Sequence, residues 1–499
     1  MFVAPDPGRL RLRVATRAVI GVAAAVALTE ICGFSLNASI TGGLAALLAL
    51  FTVTDATVRD QRVTTALLPL AGLPVLALAA TLHGLPPARD LAFLIVVFGG
   101  VYARRWGPRG HALGIFAFMN FFVIQFLHAV PAQLPEIGAA VLLALLAAGA
   151  TRFLLWPIER RTPPAPAPPA LPGTGLARSS TRQAFQATAA SVVALALGQL
   201  LSEDRWYWAI GTAWWVFVNT TSRGETLVRG FRRVLGTVVG IAVGLLIALP
   251  LQGAPLPTAA LAAVCVFGIF YTAAVSYSWM MLAVTVLASS LYGILGVLDP
   301  DLLALRLAET GVGALCAALA ALLVLPVTTH ATNDAWIHRA LHCVHAATAQ
   351  ATDRLAGRSG ADPTPHVAEL ELLLGRVRLA LAPLVHPLAP FPGRKARARK
   401  VIELLDVCAR EVRGLASVAA DPAASHDVRL TAACWRVRAA VEALTANGVG
   451  RERVARTAEE PAATEGNEPA LAHLHSLERV LSELAAPLTV SPRTPLAGY

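Results

Sequence analysis

The sequence predicts an all-α, polytopic transmembrane helical bundle of about twelve spans in two parallel six-helix repeats, followed by a C-terminal cytoplasmic helical domain. Three observations carry this prediction. Of 499 residues, 56% are hydrophobic and only 14% charged, whereas ordinary soluble domains are about 25% charged. The apolar text also runs twice: residues 16–157 and 181–326 each open on Thr-Arg (Thr16-Arg17, Thr181-Arg182) and close on an apolar run capped by proline (Pro157, Pro326). That spacing of about 165 residues is too long for a solenoid and suits duplicated membrane halves. Third, the arginines gather in alternate short loops, as on a cytoplasmic face.

In chain order, the first half (1–161) offers apolar runs at 16–33, 36–54, 64–82, 90–104, 111–128 and 135–157. The second (181–329) offers 184–201, 207–221, 234–250, 257–275, 279–297 and 304–326. Runs 90–104 and 207–221 fall short of the roughly 20 residues of a straight crossing. The stretch from Arg9 to Leu28 has the layout of a signal peptide, but without a convincing cleavage site it reads as a retained first span. Counting from a cytoplasmic N-terminus, seventeen arginines fall on the inner side and three, Arg89, Arg205 and Arg306, on the outer. An even number of spans per half makes the repeats parallel. Gly253 falls in an outer loop on this count.

Residues 162–180 form a cytoplasmic linker whose Thr162 to Pro169 portion is proline-rich and expected to be extended. Residues 330–499 turn charged and alanine-rich, with helical periodicity near 333–356, 366–384, 395–420, 425–446 and 470–486. This predicts a small cytoplasmic bundle, with the composition of a disordered loop near 451–468.

The formal charge of +10 raises a nucleic-acid partner, but the arginines sit in loops between spans and point to the lipid bilayer instead. The six cysteines form no Cys-x-x-Cys pair and read as small buried hydrophobes. His338, His342 and His345 share a helix face beside Cys343, yet no carboxylate completes a ligand set, so no metal and no cofactor is expected. There is no phosphate-binding loop, nucleophile elbow or His-Glu-x-x-His, and the chain is not expected to be an enzyme.

The most specific text is Arg223-Gly224-Glu225-Thr226, then Arg229, Arg232 and Arg233, then Gly236-Thr237-Val238-Val239-Gly240 and Gly244. Gly236, Gly240 and Gly244 recur every fourth residue and predict a close helix contact. Arg306, Glu309, Thr310 and Gly313 repeat the theme in the last span. This pattern resembles the fusaric acid resistance family, also grouped as aromatic acid exporters, with plant aluminium-activated malate transporters as distant relatives. The resemblance covers 10–326 in topology and is specific over about 205–326. It implies a plasma (inner) membrane efflux protein for small aromatic or organic carboxylic acids, often working beside a periplasmic adaptor. The chain departs from the family pattern in placing its helical domain at the C-terminus, with only a linker between the halves.

Candidate transport residues follow from the cost of charge in lipid. Glu225 with Arg229 and Arg233 forms one cluster, Arg306 with Glu309 a second, and Asp55 with Arg59 a first-half counterpart. Asn120 and the tryptophans Trp214 and Trp215 suit the wall of a pocket for a planar acid, while Trp206 to Trp208 read as an interfacial aromatic belt. Expected partners are a small organic acid and the bilayer, with an adaptor and a homo-oligomer left open. Proton-coupled efflux, an organic-anion channel and a scaffold acting through 330–499 are the competing functions.

Overall fold

The computed structural model describes residues 6, 9–154, 175–220, 223–251, 253–325, 329–358, 360–385, 392–420, 428–445 and 468–489. The proline-rich part of the linker and the loop at 451–467 lie outside the described residues. The chain divides into two compact units, Met1–Val327 and Thr328–Tyr499, and every regular element described is helical.

The first unit contains α1 (Leu10–Ile31), α2 (Leu36–Thr52), α3 (Val58–Thr81), α4 (Pro86–Tyr102), α5 (Gly107–Leu127) and α6 (Leu134–Leu154). A second set follows: α7 (Ser179–Leu201), α8 (Tyr207–Phe217), α9 (Arg223–Leu251), α10 (Pro255–Thr272), α11 (Tyr277–Ile294) and α12 (Pro300–Leu323). Several helices start earlier than hydropathy alone suggests, because polar first turns are capped. Thr57 accepts a hydrogen bond from the Asp60 amide at the start of α3, and Asp299 does the same for Asp301 at α12, each satisfying an otherwise orphaned donor. The arginines from 223 to 233 that read as loop charge therefore ride on α9 itself.

The duplication is visible in the packing. In the first set α2 packs on α6, α3 on α5, α1 on α6 and α2, α4 on α5, and α3 on α6; in the second the equivalent helices make the same pairs, α8 on α12, α9 on α11, α7 on α12 and α8, α10 on α11, and α9 on α12. The sets meet reciprocally, α4 against α7 and α10 against α1. A seam of close backbone approach runs along α9 and α11: a Cβ on Gly236 would lie 2.5 Å from the Ser278 carbonyl, on Gly240 2.6 Å from the Thr285 Cβ, and on Gly244 2.8 Å from the Ser289 hydroxyl. In the first half Gly72 plays this part, its Cβ position falling 2.4 Å from the Phe116 ring.

Nine helical stretches among the described residues are long and apolar enough to cross a membrane. One, the 42-residue Pro86–Leu127, is about twice a normal crossing. It doubles back at Gly107, which takes φ +75°, so that Gly114 lies against the Gly100 carbonyl. The shortest helices are α8, 11 residues, and α2 and α4, 17 residues each; α2 and α8 occupy equivalent places in the two sets. Both ends are closed by arginines, Arg152 buried and Arg104 half-buried. Arg152 donates to the carbonyls of Val53 (2.6 Å), Ala49 (3.2 Å) and Leu50 (2.9 Å). Arg104 donates to the Phe217 carbonyl (3.0 Å) and the Gln183 side chain (2.9 Å), while Gln183 donates onward to the Thr220 carbonyl (2.5 Å). Irregular backbone at the depth of a span is tolerated only where side chains satisfy it in this way.

The second unit holds α13 (Thr329–Leu355), α14 (Thr364–Val385), α15 (Pro392–Ala419), α16 (Val428–Thr445) and α17 (Glu468–Thr489). Helix α13 packs on α14, α15 and α16, and α17 on α15 and α16. Leu341, Val344, Leu373, Leu405, Leu415, Val437, Leu474 and Leu481 form its buried apolar interior.

Candidate functional site

A cavity of about 140 Å³ lies among α2, α5, α8 and α11, the two pairs of equivalent helices, with contributions from α9 and α10. Its walls are aliphatic and aromatic: Phe51, Phe122, Phe126, Trp208 and Trp215 with Met119, Met280 and Met281. Arg233, on α9, is the one charged residue lining it. The side chain is 5% exposed. It donates from Nη1 to the Tyr277 hydroxyl (3.3 Å) and approaches the Met281 sulfur (3.4 Å), and its Nε has no hydrogen-bond partner. One turn earlier, the Arg229 guanidinium lies 4.0 Å from the centroid of the same Tyr277 ring. A single tyrosine thus orders both cations. The cavity is apolar apart from one cation held at its edge.

The wall is stiffened by aromatic packing. Phe122 meets Tyr207 and Trp208 edge-on at 5.3 and 4.9 Å, and Trp208 donates its indole N–H to the Tyr292 hydroxyl at 2.6 Å. Trp206, Tyr207 and Trp208 are at most 9% exposed. They face the protein interior rather than lipid, which overturns the interfacial-belt reading: such a belt requires rings at the lipid surface.

The remaining sequence candidates separate. Trp215 lines the cavity, whereas Trp214 stacks flat on Phe118 at 3.9 Å and 5° and approaches the Val97 carbonyl (3.4 Å), cementing α8 to α5 and α4. Asn120 is buried and donates to Phe116 of its own helix; it belongs to the α3–α5 contact. Glu225 is half-buried in the first turn of α9. Asp55 is buried with Oδ2 unpartnered, and Arg59 is exposed, so they do not form a pair; in this region Arg109 pairs with Asp60 at 2.9 Å. The two differ because Asp55 precedes the helix while Arg59 is in its first turn, pointing outward. Arg306 and Glu309 are both buried, at 4% and 0% exposure. They do not hydrogen-bond to one another: the Arg306 guanidinium lies 3.9 Å over the Trp208 ring, and both Glu309 oxygens lack partners.

In the second unit the three histidines on α13 do not converge. Instead the side chains of Cys343, His366 and Glu369 lie with ligand atoms within 4.8 Å of one another across α13 and α14. The Cys343 thiol approaches the His366 carbonyl at 3.1 Å, and burial pushes that thiol up to about 12.

Sequence reasoning missed Tyr277 and Tyr292, which look like ordinary apolar-span aromatics. No curated protein and no solved structure matches the chain. Residues 192–320 match the family described as fusaric acid resistance protein-like. That segment runs from α7 into α12 and carries Trp208, Trp215, Arg233, Tyr277, Tyr292, Arg306 and Glu309. Over these residues the chain is similar to that family, and the match covers about a quarter of its length.

Proposed function

We propose that this protein is an inner-membrane transporter that moves small organic anions, aromatic carboxylates foremost, outward through the cavity between its two six-helix sets. The observation that carries the reading is the cavity itself: an aromatic and aliphatic chamber whose sole charged lining residue is Arg233. An aromatic ring fits the walls, and a carboxylate answers the guanidinium, whose planar fork suits that geometry. The short helices α2 and α8 stand in corresponding positions of the two halves and both line the chamber. Unusually short spans at equivalent places in a repeat point to transporter binding sites near the bilayer midplane.

In this reading the twelve helices of the first unit cross the membrane twelve times, with the linker and residues 330–499 cytoplasmic. The arginine distribution supports that orientation. An anion enters from the cytoplasmic side, is held against Arg233, and leaves when the halves rock about the α4–α7 and α1–α10 contacts. A channel is the weaker alternative, because conduction requires several weak sites in series and the chamber has one cation.

The test is binding to the purified full chain, followed through tryptophan fluorescence, with benzoate and benzamide as probes. Benzoate is expected to bind at least tenfold more tightly than benzamide in the wild type, and Arg233→Gln to abolish the difference. Equal affinity for the two probes in the wild type would sink the reading.

A further inference from the structure

Glu309 is the outlier among the buried charged residues of α12. It is fully enclosed, and neither carboxylate oxygen has a hydrogen-bond partner. Its helix neighbour Arg306, three residues earlier and so on the same face, is the obvious counter-charge. Yet Arg306 is spread over the Trp208 indole at 3.9 Å, with Nη1 unpartnered. Trp208 has two other engagements: its N–H holds the Tyr292 hydroxyl at 2.6 Å, and its ring lines the cavity. One indole therefore touches the substrate chamber on one side and the arginine that Glu309 lacks on the other.

We propose that Glu309 carries the proton that drives transport, and that Trp208 reports the occupancy of the cavity to it by holding or releasing Arg306. This deepens the transport reading and rests on it. An ionised carboxylate without a partner inside protein is a state that costs several kcal/mol. In the arrangement observed, the carboxyl keeps its proton. When an anion entering from the cytoplasm displaces the Trp208 ring, Arg306 loses its seat and swings to Glu309. The Glu309 O–H bond then breaks, the proton leaves to the cytoplasmic side, and the carboxylate is held by the guanidinium. After the halves rock outward, a proton from outside re-forms the O–H bond. Arg306 returns to the indole, the indole returns to the cavity wall, and the anion leaves. One proton enters for each anion expelled.

The other titratable and charged groups around this site are few. Tyr207 comes from α8, Tyr292 from α11, and Arg233 from α9; Arg205, just before α8, lies 5.2 Å over the Tyr292 ring. Helix α7 offers no titratable side chain beyond Arg182, near its first turn. Glu309 is the one carboxylate in the set.

The experiment uses the full chain in liposomes with labelled benzoate as the probe. Two fluxes are read: exchange of benzoate at equal pH, and accumulation driven by a pH gradient. Glu309→Gln is expected to keep exchange within about twofold and to lose gradient-driven accumulation at least tenfold, with its pH dependence flattened. Gradient-driven accumulation that stays intact in Glu309→Gln overturns the proposal while leaving the transport reading standing. A wild-type protein that neither binds nor exchanges benzoate removes both. Should Glu309→Gln fail to insert, Tyr292→Phe tests the same link, since it removes the hydroxyl that anchors the Trp208 N–H without touching the cavity lining. A loss of coupling of at least threefold, with exchange retained, is expected there; full coupling overturns the proposal.

Discussion

Arg104 and Phe217 lie 113 positions apart and meet at 3.0 Å, the guanidinium donating to the last carbonyl of α8. The bond fastens the first set of helices to the point where the short helix of the second set unwinds. With Gln183 it satisfies carbonyls that have no intrahelical donor. Arg104→Ala is expected to cost about 1 kcal/mol by removing the guanidinium bonds to Phe217 and Gln183, since the Thr220 hydroxyl still donates to the Phe217 carbonyl at 3.1 Å; this is read as a lower thermal midpoint of the detergent-solubilised protein. Arg152→Ala should behave alike at α2. An unaltered midpoint in both would mean water serves these carbonyls equally well.

The glycine seam gives a graded prediction. Gly240→Leu drives a side chain into Thr285 and the Leu282 carbonyl and should cost about 3 kcal/mol. Gly311→Leu meets nothing within 4 Å and should stay within about 0.5 kcal/mol. Similar yields of folded protein for the two would show that α9 and α11 do not approach as closely as described. Gly253, a free loop position by sequence, is no neutral control: it holds φ +72°, with the Gly293 carbonyl 2.3 Å from its Cβ position.

Adjacent tryptophans should part company. Trp214→Ala removes the stack on Phe118 and should lower stability by about 3–5 kcal/mol, with benzoate affinity per folded molecule unchanged. Trp215→Ala removes cavity wall and should weaken benzoate by about tenfold in a protein that folds. Fluorescence titration beside thermal denaturation separates these outcomes; a reversed pattern would move the binding site off the cavity.

Thiol reactivity supplies a pH test in the second unit. Burial pushes both Cys343 and Cys408 up to about 12, and the nucleophile is the thiolate. At pH 8 the thiolate fraction is on the order of 10⁻⁴, and it rises only as pH climbs toward 12 or the helices open. Maleimide should therefore label the exposed Cys32 long before Cys343 or Cys408, as peptide mass mapping over time can read. Rapid labelling of Cys408 at pH 8 would contradict its burial.

Most of the helices were legible because hydropathy and arginine spacing are long-range averages that tolerate local error. The Gly236, Gly240 and Gly244 seam was legible for a simpler reason: period four on a helix fixes a face. What escaped was orientation about each axis. Trp214 and Trp215 are indistinguishable in sequence, and only the roll of α8 sends one to the cavity and the other to Phe118. Asp55 and Arg59 looked like a helical pair because spacing was read without the break before α3. The Arg306 site was found by its cost in lipid, but its partner is an aromatic face on another helix, which no spacing rule encodes.

The reciprocal contacts make the two halves near copies, yet the charge in the chamber is not copied. Helices α3 and α9 begin 165 positions apart, at Val58 and Arg223, so the counterpart of Arg233 is Leu68, which is wholly buried. On the transport reading proposed above, a scaffold with two-fold architecture and a single seat would hold its cargo in only one pose and only one copy at a time. Duplication supplied the helices twice, and a single arginine breaks the tie, so that a path through the chamber would have a polarity that the fold alone does not possess.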